Sequence, residues 1–266
     1  AINNIIKEGT TDVELFKRPF ELKLLENNET RQEIIDDVVS SIQTCKFENL
    51  KISKIGHVLV PKKNLCDYRK CAWIDIIDEI KYLTLVLVMA KDIEIARDNK
   101  SNKKIFSYRL KAKGNNGYIF DTEYNYTSFK NRIIEKSNMK NKKIIVECDI
   151  ANFYDRLNLH RLESVLLSIE KIEKDAIKLL NELLFFWSNR DSYGLPVGSN
   201  ASRILAEAAL IEVDNYLISK NIDFCRFVDD YRIFAKNSSE AHKALAMLVE
   251  RLNKEGELKA DDMADL

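Results

Sequence analysis

The sequence is short of the two residues that most often interrupt regular structure, with 7 glycines and 3 prolines among 266 residues. That composition excludes a low-complexity or fibrous protein. Long apolar runs are also lacking, because no stretch approaches 18 uninterrupted apolar residues, so no membrane-spanning helix is predicted. The first residues lack the charged and then apolar order of a signal peptide. Since 45% of the residues are hydrophobic, the chain can still bury a substantial core.

Cysteines are few, odd in number and scattered, with five in the chain. Such a set argues against a disulfide framework and is typical of a protein in the reducing cytoplasm. Cys66 and Cys71 form the only close pair. Without a second pair or an adjacent histidine, this spacing does not favour a zinc site.

Charge is balanced overall but unevenly distributed. Residues 51–143 contain 21 Lys and Arg against 10 Asp and Glu, a balance of +11, and the remainder therefore carries −11. A basic segment of this kind can face phosphates, and an acidic one can hold metal ions. The alternative is that both are ordinary solvated surfaces.

The apolar periodicity predicts a mixture of helices and strands. Residues 1–50 are predicted to be helical. The strongest strand is Lys143–Asp149, with a β-branched core. Further predicted helices are Ile74–Arg97 (as one helix or two), Thr122–Lys136, Asn158–Glu170, Asp175–Trp187, Ala201–Ser219 and Ser239–Lys254. Further predicted strands are Ile52–Pro61, Ile105–Leu110, Tyr118–Phe120 and two short strands within Phe224–Ala235.

Three aspartates occupy positions at which a carboxylate has no packing role. Asp149 ends the strongest strand, and Asp229 and Asp230 lie between two apolar strands. If the strand and the hairpin lie side by side in one sheet, these carboxylates converge within reach of two divalent ions about 4 Å apart. Mg²⁺ suits such oxygen ligands. An Asp-Asp pair is also common in plain turns, which is the competing explanation.

The surroundings of these aspartates resemble the palm motifs of reverse transcriptases, in the family's order and with its usual spacing. The run Asp149–Tyr154 resembles the first motif, Gly194–Arg203 is similar to the second, and Phe227–Asp230 resembles the third, which usually begins with tyrosine. The resemblance is clear over residues 140–236 and extends back to about residue 55.

This resemblance implies an α+β right-hand polymerase with a ferredoxin-like antiparallel palm sheet packed on helices. The expected organisation is an N-terminal helical segment (1–50), fingers (51–143) and palm (144–266). The thumb is expected to be absent, because few residues follow the last predicted helix.

Carried over residue by residue, the resemblance implies that Asp149 and Asp229 are the main ligands of two Mg²⁺ ions, with Mn²⁺ as an alternative. Asp230 would be the less direct carboxylate of its pair, and the backbone carbonyl of Ile150 would complete one metal site. Tyr154 would be the steric gate that excludes a 2′-hydroxyl and so selects deoxynucleotides. The alternative is that Tyr154 is a core aromatic.

Other expected contacts come partly from these motifs and partly from cations before them. The expected nucleotide-binding residues are Tyr154, Asn152, Phe153, Val197, Gly198, Arg69 and Lys63. Arg69 and Lys63 would grip the triphosphate with charge-assisted donors, with Lys62 beside them and Arg109 as a rival. Phe227, Arg109 and Lys62 are the expected nucleic-acid contacts. The alternative for each cation is a solvated surface position.

Within the family, the segment from residues 58–63 through Tyr68 and Arg69 to Phe106–Arg109 resembles the fingers of reverse transcriptases from bacterial abortive infection and related defence systems. The sequence of residues 226–234 resembles the same group. That likeness implies an enzyme of the bacterial cytoplasm that acts against phage. Its partners would be an RNA template or non-coding RNA, the DNA product and dNTPs, with no membrane; a homo-oligomer or a partner protein is left open.

Three other functions stay open. The same site could synthesise DNA without a template, or from a primer on the protein itself. RNA synthesis is disfavoured because Tyr154 fills the gate position, although Asp155 lies near the place of a ribose-reading aspartate in RNA-dependent RNA polymerases. A catalytically idle, nucleic-acid-binding scaffold of this fold is the third.

Overall fold

The computed structural model describes residues 1–62, 67–115, 117–139, 143–255 and 258. The helices are α1 (Ile2–Glu8), α2 (Asn28–Gln43), α3 (Phe47–Leu50), α4 (Ile76–Ala96), α5 (Tyr126–Ser137), α6 (Phe153–Arg156), α7 (Leu159–Ser168), α8 (Lys174–Trp187), α9 (Asn200–Ala209), α10 (Ile211–Ser219) and α11 (Ser238–Lys254). The strands are β1 (Gly56–Pro61), β2 (Tyr68–Trp73), β3 (Leu110–Asn115), β4 (Tyr118–Phe120), β5 (Ile144–Cys148), β6 (Phe224–Phe227) and β7 (Asp230–Ala235). Helices combined with small antiparallel sheets confirm the predicted α+β class.

A central helix, α4, organises the packing. Its first turn is capped by Asp75, whose side chain accepts a hydrogen bond from the backbone N–H of Ile77. Apolar residues on several faces of α4 are buried, as expected of a helix enclosed by others. It packs against α2, α8 and α9 and against strand β3. No helix among the described residues has the length and apolar character needed to cross a membrane.

The sheet that positions the candidate site has the order β5-β7-β6, and both neighbouring pairs are antiparallel. In the β5–β7 pair, Cys148 at the end of β5 lies opposite Tyr231 near the start of β7. The predicted strand and the predicted hairpin are therefore neighbours in one sheet, which confirms the arrangement expected from the sequence. Helices α5 and α11 both contact this sheet. The other described strands form the hairpins β1-β2 and β3-β4.

Two predicted elements have different bounds in the structure. The helix expected over Ala201–Ser219 is broken at Leu210 into α9 and α10, which lets α9 pack on α4 and α7 while α10 packs on α11. The strand expected over Ile105–Leu110 is wrong for most of its length. Ile105 forms an isolated bridge and Leu110 begins β3, but Tyr108 between them has a φ of 44° and interrupts the extended backbone.

Candidate active site

The carboxylates converge because of the register of the sheet. Asp149 follows β5 directly, and Phe227 opposes Asp230 in the β6–β7 hairpin, so Val228 and Asp229 form its two-residue turn. Both the end of β5 and this turn lie at the same end of the sheet. Asp149 and Asp229 are thus brought together from positions 80 residues apart in the sequence.

The pKa of Asp229 is raised both by burial and by the neighbouring carboxylates. Desolvation raises the pKa of the Asp229 carboxyl most, and the charges of Asp149 and then Asp230 raise it further, to about 7. A carboxyl with this pKa is only partly ionised at neutral pH. Like charges held close together in a partly buried place are costly unless a cation joins them, so these carboxylates form a candidate cation site.

Within the described residues, no group of three or more His, Cys, Asp or Glu side chains is arranged as a ready-made metal cage. Mg²⁺ does not require one, because it is commonly bound by one or two carboxylates together with waters and substrate phosphates. A converging pair of carboxylates, which are hard oxygen donors, fits that mode. The residues present therefore suit Mg²⁺ or Mn²⁺ and do not suit a thiolate-bound metal.

Asp230 is engaged differently from Asp229. It is the first residue of β7, and its Oδ1 accepts a hydrogen bond from Nη1 of Arg232 at 3.2 Å. Nε of Arg232 also lies 3.3 Å from Oε1 of Glu147. The pair Asp229-Asp230 therefore splits into one carboxylate near Asp149 and one held by a cation, in keeping with a less direct part for Asp230.

Tyr154 lies in an aromatic and cationic cluster next to the carboxylates. Its ring is half-buried and meets Phe153 edge-on, with 5.6 Å between centroids. Burial first, and then the nearby Tyr108, raise the pKa of the Tyr154 hydroxyl well above its ordinary value; Asp229 contributes in the same direction. The guanidinium of Arg203 stacks on the Tyr108 ring at 5.1 Å. The hydroxyl of Tyr154 therefore experiences the charges of both this cluster and Asp229.

Gly198 approaches another part of the same chain. Its φ is +118°, and an added Cβ would lie 2.3 Å from Oγ1 of Thr11. Asp12 donates its backbone N–H to the Gly198 carbonyl at 3.2 Å, and its carboxylate pairs with Arg203 at 2.9 Å. The Thr11–Asp12 segment thus occupies the space beside the Gly198 Cα in this structure, and nucleotide binding at Gly198 stays a prediction.

The expected phosphate-binding cations differ in exposure and in ion pairing. Arg69 is exposed on β2, and Lys62 is exposed beside it but paired with Asp67 at 2.8 Å. Lys63 lies outside the described residues, as does Cys66 of the cysteine pair. Arg109 is corrected: it is 2% exposed, and its Nε lies 3.0 Å from Oε1 of Glu94, so its guanidinium is closed off from phosphate.

The remaining expected contacts divide by burial. Phe153 is 2% exposed and packs in the core, so its side chain is withdrawn from any bound nucleotide. Asn152 is exposed with a φ of 49° and begins α6. Phe227 is half-buried, with its ring 5.3 Å from that of Tyr126. Ile150 is buried, whereas the carbonyl of Val197 accepts a hydrogen bond from Ala72 at 3.0 Å and so joins its loop to β2.

The sequence analysis overlooked a group of buried charges behind the site. Arg226 and Glu207 are each at most 1% exposed and are linked by hydrogen bonds of 3.0 and 3.2 Å. A signal was present, since Arg226 interrupts an otherwise apolar strand directly before the aspartate turn. An arginine in such a place needs buried acidic partners, but those partners could not be named from the sequence.

Comparison with known proteins decides the family. The model of the family described as reverse transcriptase (RNA-dependent DNA polymerase) matches residues 89–259, well over half of the chain. The chain belongs to the reverse transcriptase family. The match contains Asp149, Asp229 and the loop around Gly198. No curated protein matches the chain significantly.

Solved telomerase structures share this reverse transcriptase fold. Apo telomerase from Candida tropicalis, truncated from its C-terminal domain, aligns with a TM-score of 0.55 and 13% identity, over 81% of this chain and 52% of the telomerase chain. Telomerase from Candida albicans in complex with a fragment of telomeric RNA aligns with a TM-score of 0.52 and 11% identity, over 88% of this chain and 46% of the other. The chain thus spans about half the length of these telomerases, and the likeness concerns the fold.

Proposed function

We propose that this chain contains the fingers (51–143) and palm (144–266) of a reverse transcriptase that adds dNTPs by a two-metal mechanism, preceded by a helical segment (1–50). The observation that carries the proposal is the convergence of Asp149 and Asp229 at one end of the β5-β7-β6 sheet, which burial and mutual repulsion make a favourable place for a divalent cation. The order of the three motifs supports the same assignment.

In this proposal Asp149 and Asp229 hold two Mg²⁺ ions, with the carbonyl of Ile150 as a further ligand and Asp230 in support. When bound, the ions supply positive charge where the attacking 3′-oxygen and the departing pyrophosphate develop negative charge. The protein's own contribution is to hold both carboxylates at one end of the sheet, where a bound cation would favour the ionised form of Asp229. The exposed cations Arg69 and Lys62 would bind the phosphates.

The biological setting proposed is antiphage defence in the bacterial cytoplasm. It is supported by the sequence of Arg226–Phe234 and of the segment before Arg69, which resemble defence-associated reverse transcriptases. An RNA partner is supported by the family and by the telomerase that was solved with a telomeric RNA fragment. The basic balance of residues 51–143 offers a surface for that RNA.

The test is nucleotide incorporation by the purified protein with an RNA template, a DNA primer, dNTPs and Mg²⁺. We expect labelled DNA whose synthesis stops when EDTA removes the metal. Equal synthesis without template would support the non-templated or protein-primed alternative, which sequencing of the product would identify. Salt-sensitive RNA binding without any synthesis would support a scaffold and contradict the proposal.

Replacing Tyr154 by alanine tests the proposed sugar selection. The half-buried ring stands next to Asp229, so its loss should open space for a 2′-hydroxyl. We expect the preference for dNTPs over NTPs, measured as the ratio of kcat/KM values, to fall about 10- to 100-fold. Tyr154→Phe retains the ring and should retain the preference. Equal discrimination by the alanine variant and the wild type would assign Tyr154 to the core instead.

A further inference from the structure

The turn that carries Asp229 has an unfavourable backbone. Val228 has a φ of 57°, in the left-handed region that β-branched residues rarely adopt. Two-residue hairpin turns with positive φ normally contain glycine, asparagine or aspartate at that position. Valine therefore does not select this turn by its own preference, and something else must hold the backbone there.

Arg226 makes the contact that can hold it. Its Nη1 donates to the carbonyl of Val228 at 2.7 Å. The guanidinium is 0% exposed and is itself fixed from two sides. Nε and Nη2 donate to the two carboxylate oxygens of Asp214 at 3.0 and 2.6 Å, and Nη1 and Nη2 donate to Glu207 at 3.2 and 3.0 Å. All five N–H groups therefore have a partner, and the arginine has no freedom to swing away.

The same buried group reaches a second strained residue beside the site. Glu207 also accepts a hydrogen bond of 2.6 Å from Arg97, whose Nη1 donates to the carbonyl of Tyr108 at 3.0 Å. Tyr108 has a φ of 44°, and its ring lies near that of Phe227. The network thus fixes the backbone at Val228, directly before Asp229, and at Tyr108.

We propose that Arg226 is a positioning residue for Asp229, holding the Val228 turn so that the Asp229 carboxylate stays facing Asp149 before a cation binds. Without such support, repulsion between the two carboxylates would turn the hairpin tip away. The bond to Val228 resists that movement because its other end is anchored in the buried acids Asp214 and Glu207. This inference rests on the proposed function, in which the two aspartates share metal ions.

The test uses Arg226→Lys, which retains the charge but loses the planar set of donors. We expect Mn²⁺ to bind at least about tenfold more weakly, as followed by the electron paramagnetic resonance signal of free Mn²⁺, and kcat for dNTP incorporation to fall about 10- to 100-fold. Arg251→Lys is the control. Arg251 lies on α11 and pairs with Glu212 on α10, away from the Val228 turn. This variant should bind Mn²⁺ as the wild type does.

Rescue separates positioning from a general structural part. Glycine adopts a positive φ without help, so adding Val228→Gly to Arg226→Lys should restore at least about half of the lost Mn²⁺ affinity on a logarithmic scale. Val228→Ala should restore much less, because alanine retains a Cβ and so still meets a backbone penalty at positive φ. If the lysine variant does not fold, Asp214→Asn weakens the anchor of Arg226 instead, and the same pattern of rescue is expected.

Two results would overturn the inference. One is wild-type Mn²⁺ affinity in the folded Arg226→Lys protein, and the other is equal rescue by glycine and alanine. The proposed function fails in a separate way, through a wild-type protein that neither binds Mn²⁺ nor incorporates dNTPs. If the wild type is active and Asp229→Asn is inactive while Arg226→Lys is unchanged, the function stands and the positioning falls.

Discussion

Asp229→Asn is expected to abolish nucleotide incorporation while making the metal-free protein more stable. The substitution removes a charged ligand from the proposed metal site, and one bound metal contributes several kcal/mol of charge stabilisation in a transition state. Since each 1.36 kcal/mol changes the rate tenfold, we expect kcat to fall by about 10³-fold or more. Asp175→Asn, at an exposed position on α8, is the charge control and should be fully active.

The gain in stability has a defined dependence on pH. Burial and Asp149 raise the pKa of Asp229 from 3.8 to about 7 in the folded protein. Between these values the folded state keeps a proton that the unfolded state has lost, so the free energy of unfolding of the wild type decreases as pH rises from about 4 to about 7. The Asp229→Asn variant has no titratable group at this position, so its free energy of unfolding does not decrease in this way.

The advantage of Asp229→Asn should therefore be small at pH 4, grow towards pH 7 and stay level above it, reaching at most about 4 kcal/mol. Urea unfolding at pH 5 and pH 8 in EDTA measures it. Added Mg²⁺ should stabilise the wild type and leave the variant unchanged. A variant with more than a tenth of wild-type incorporation would contradict the assignment of Asp229 as a ligand.

Glu207→Ala is expected to have the largest effect on folding. Glu207 is 1% exposed and accepts hydrogen bonds from Arg97, Arg226 and the hydroxyl of Ser107. Its removal leaves two buried guanidinium groups short of their negative partner. Breaking a buried pair in this way costs about 3–5 kcal/mol, because the remaining charge is neither solvated nor neutralised.

Urea unfolding at pH 7 measures this loss. Glu212→Ala is the matched control, since Glu212 is 36% exposed and pairs with Arg251, an arrangement worth about 1 kcal/mol or less. Burial alone would raise the pKa of Glu207, but the charges of Arg226 and Arg97 bring it below its ordinary value of 4.5. The stability from this carboxylate is thus present above pH 4.5 and is lost as pH falls further. A cost for Glu207→Ala as small as that of the control would mean that the network is dispensable.

Much of the candidate site follows from short-range information. The β-branched run before Asp149 favours a strand, and the apolar runs on either side of Asp229 favour a hairpin. Each depends on neighbouring residues, as do the three motifs. Their combination in one antiparallel sheet was expected from the family resemblance, and the register of β5 and β7 confirms it. The break at Leu210 was not foreseen, because helical periodicity continues through it.

Errors arose where a residue's environment depends on distant segments. The sequence around Arg109 reads as a basic surface, yet Glu94 takes up its guanidinium. The glycine at position 198 predicts a close approach, but not that Thr11 makes it. In both cases the residue type indicated what its environment must provide, a charge partner for the arginine and space for the glycine. It did not indicate which residue lies there.

The sequence by itself determined the family, the mixed fold class and the three carboxylates, because motif order and strand propensity are properties of contiguous residues. The tertiary structure alone decided how those carboxylates are held. Glu207 meets Ser107 across 100 positions and Arg97 across 110. A buried charge is stable only beside an opposite one, and which residues supply it depends on how the helices pack. The aspartates can thus be identified from the sequence, whereas the hydrogen bond from Arg226 to the Val228 turn is found only in the folded chain.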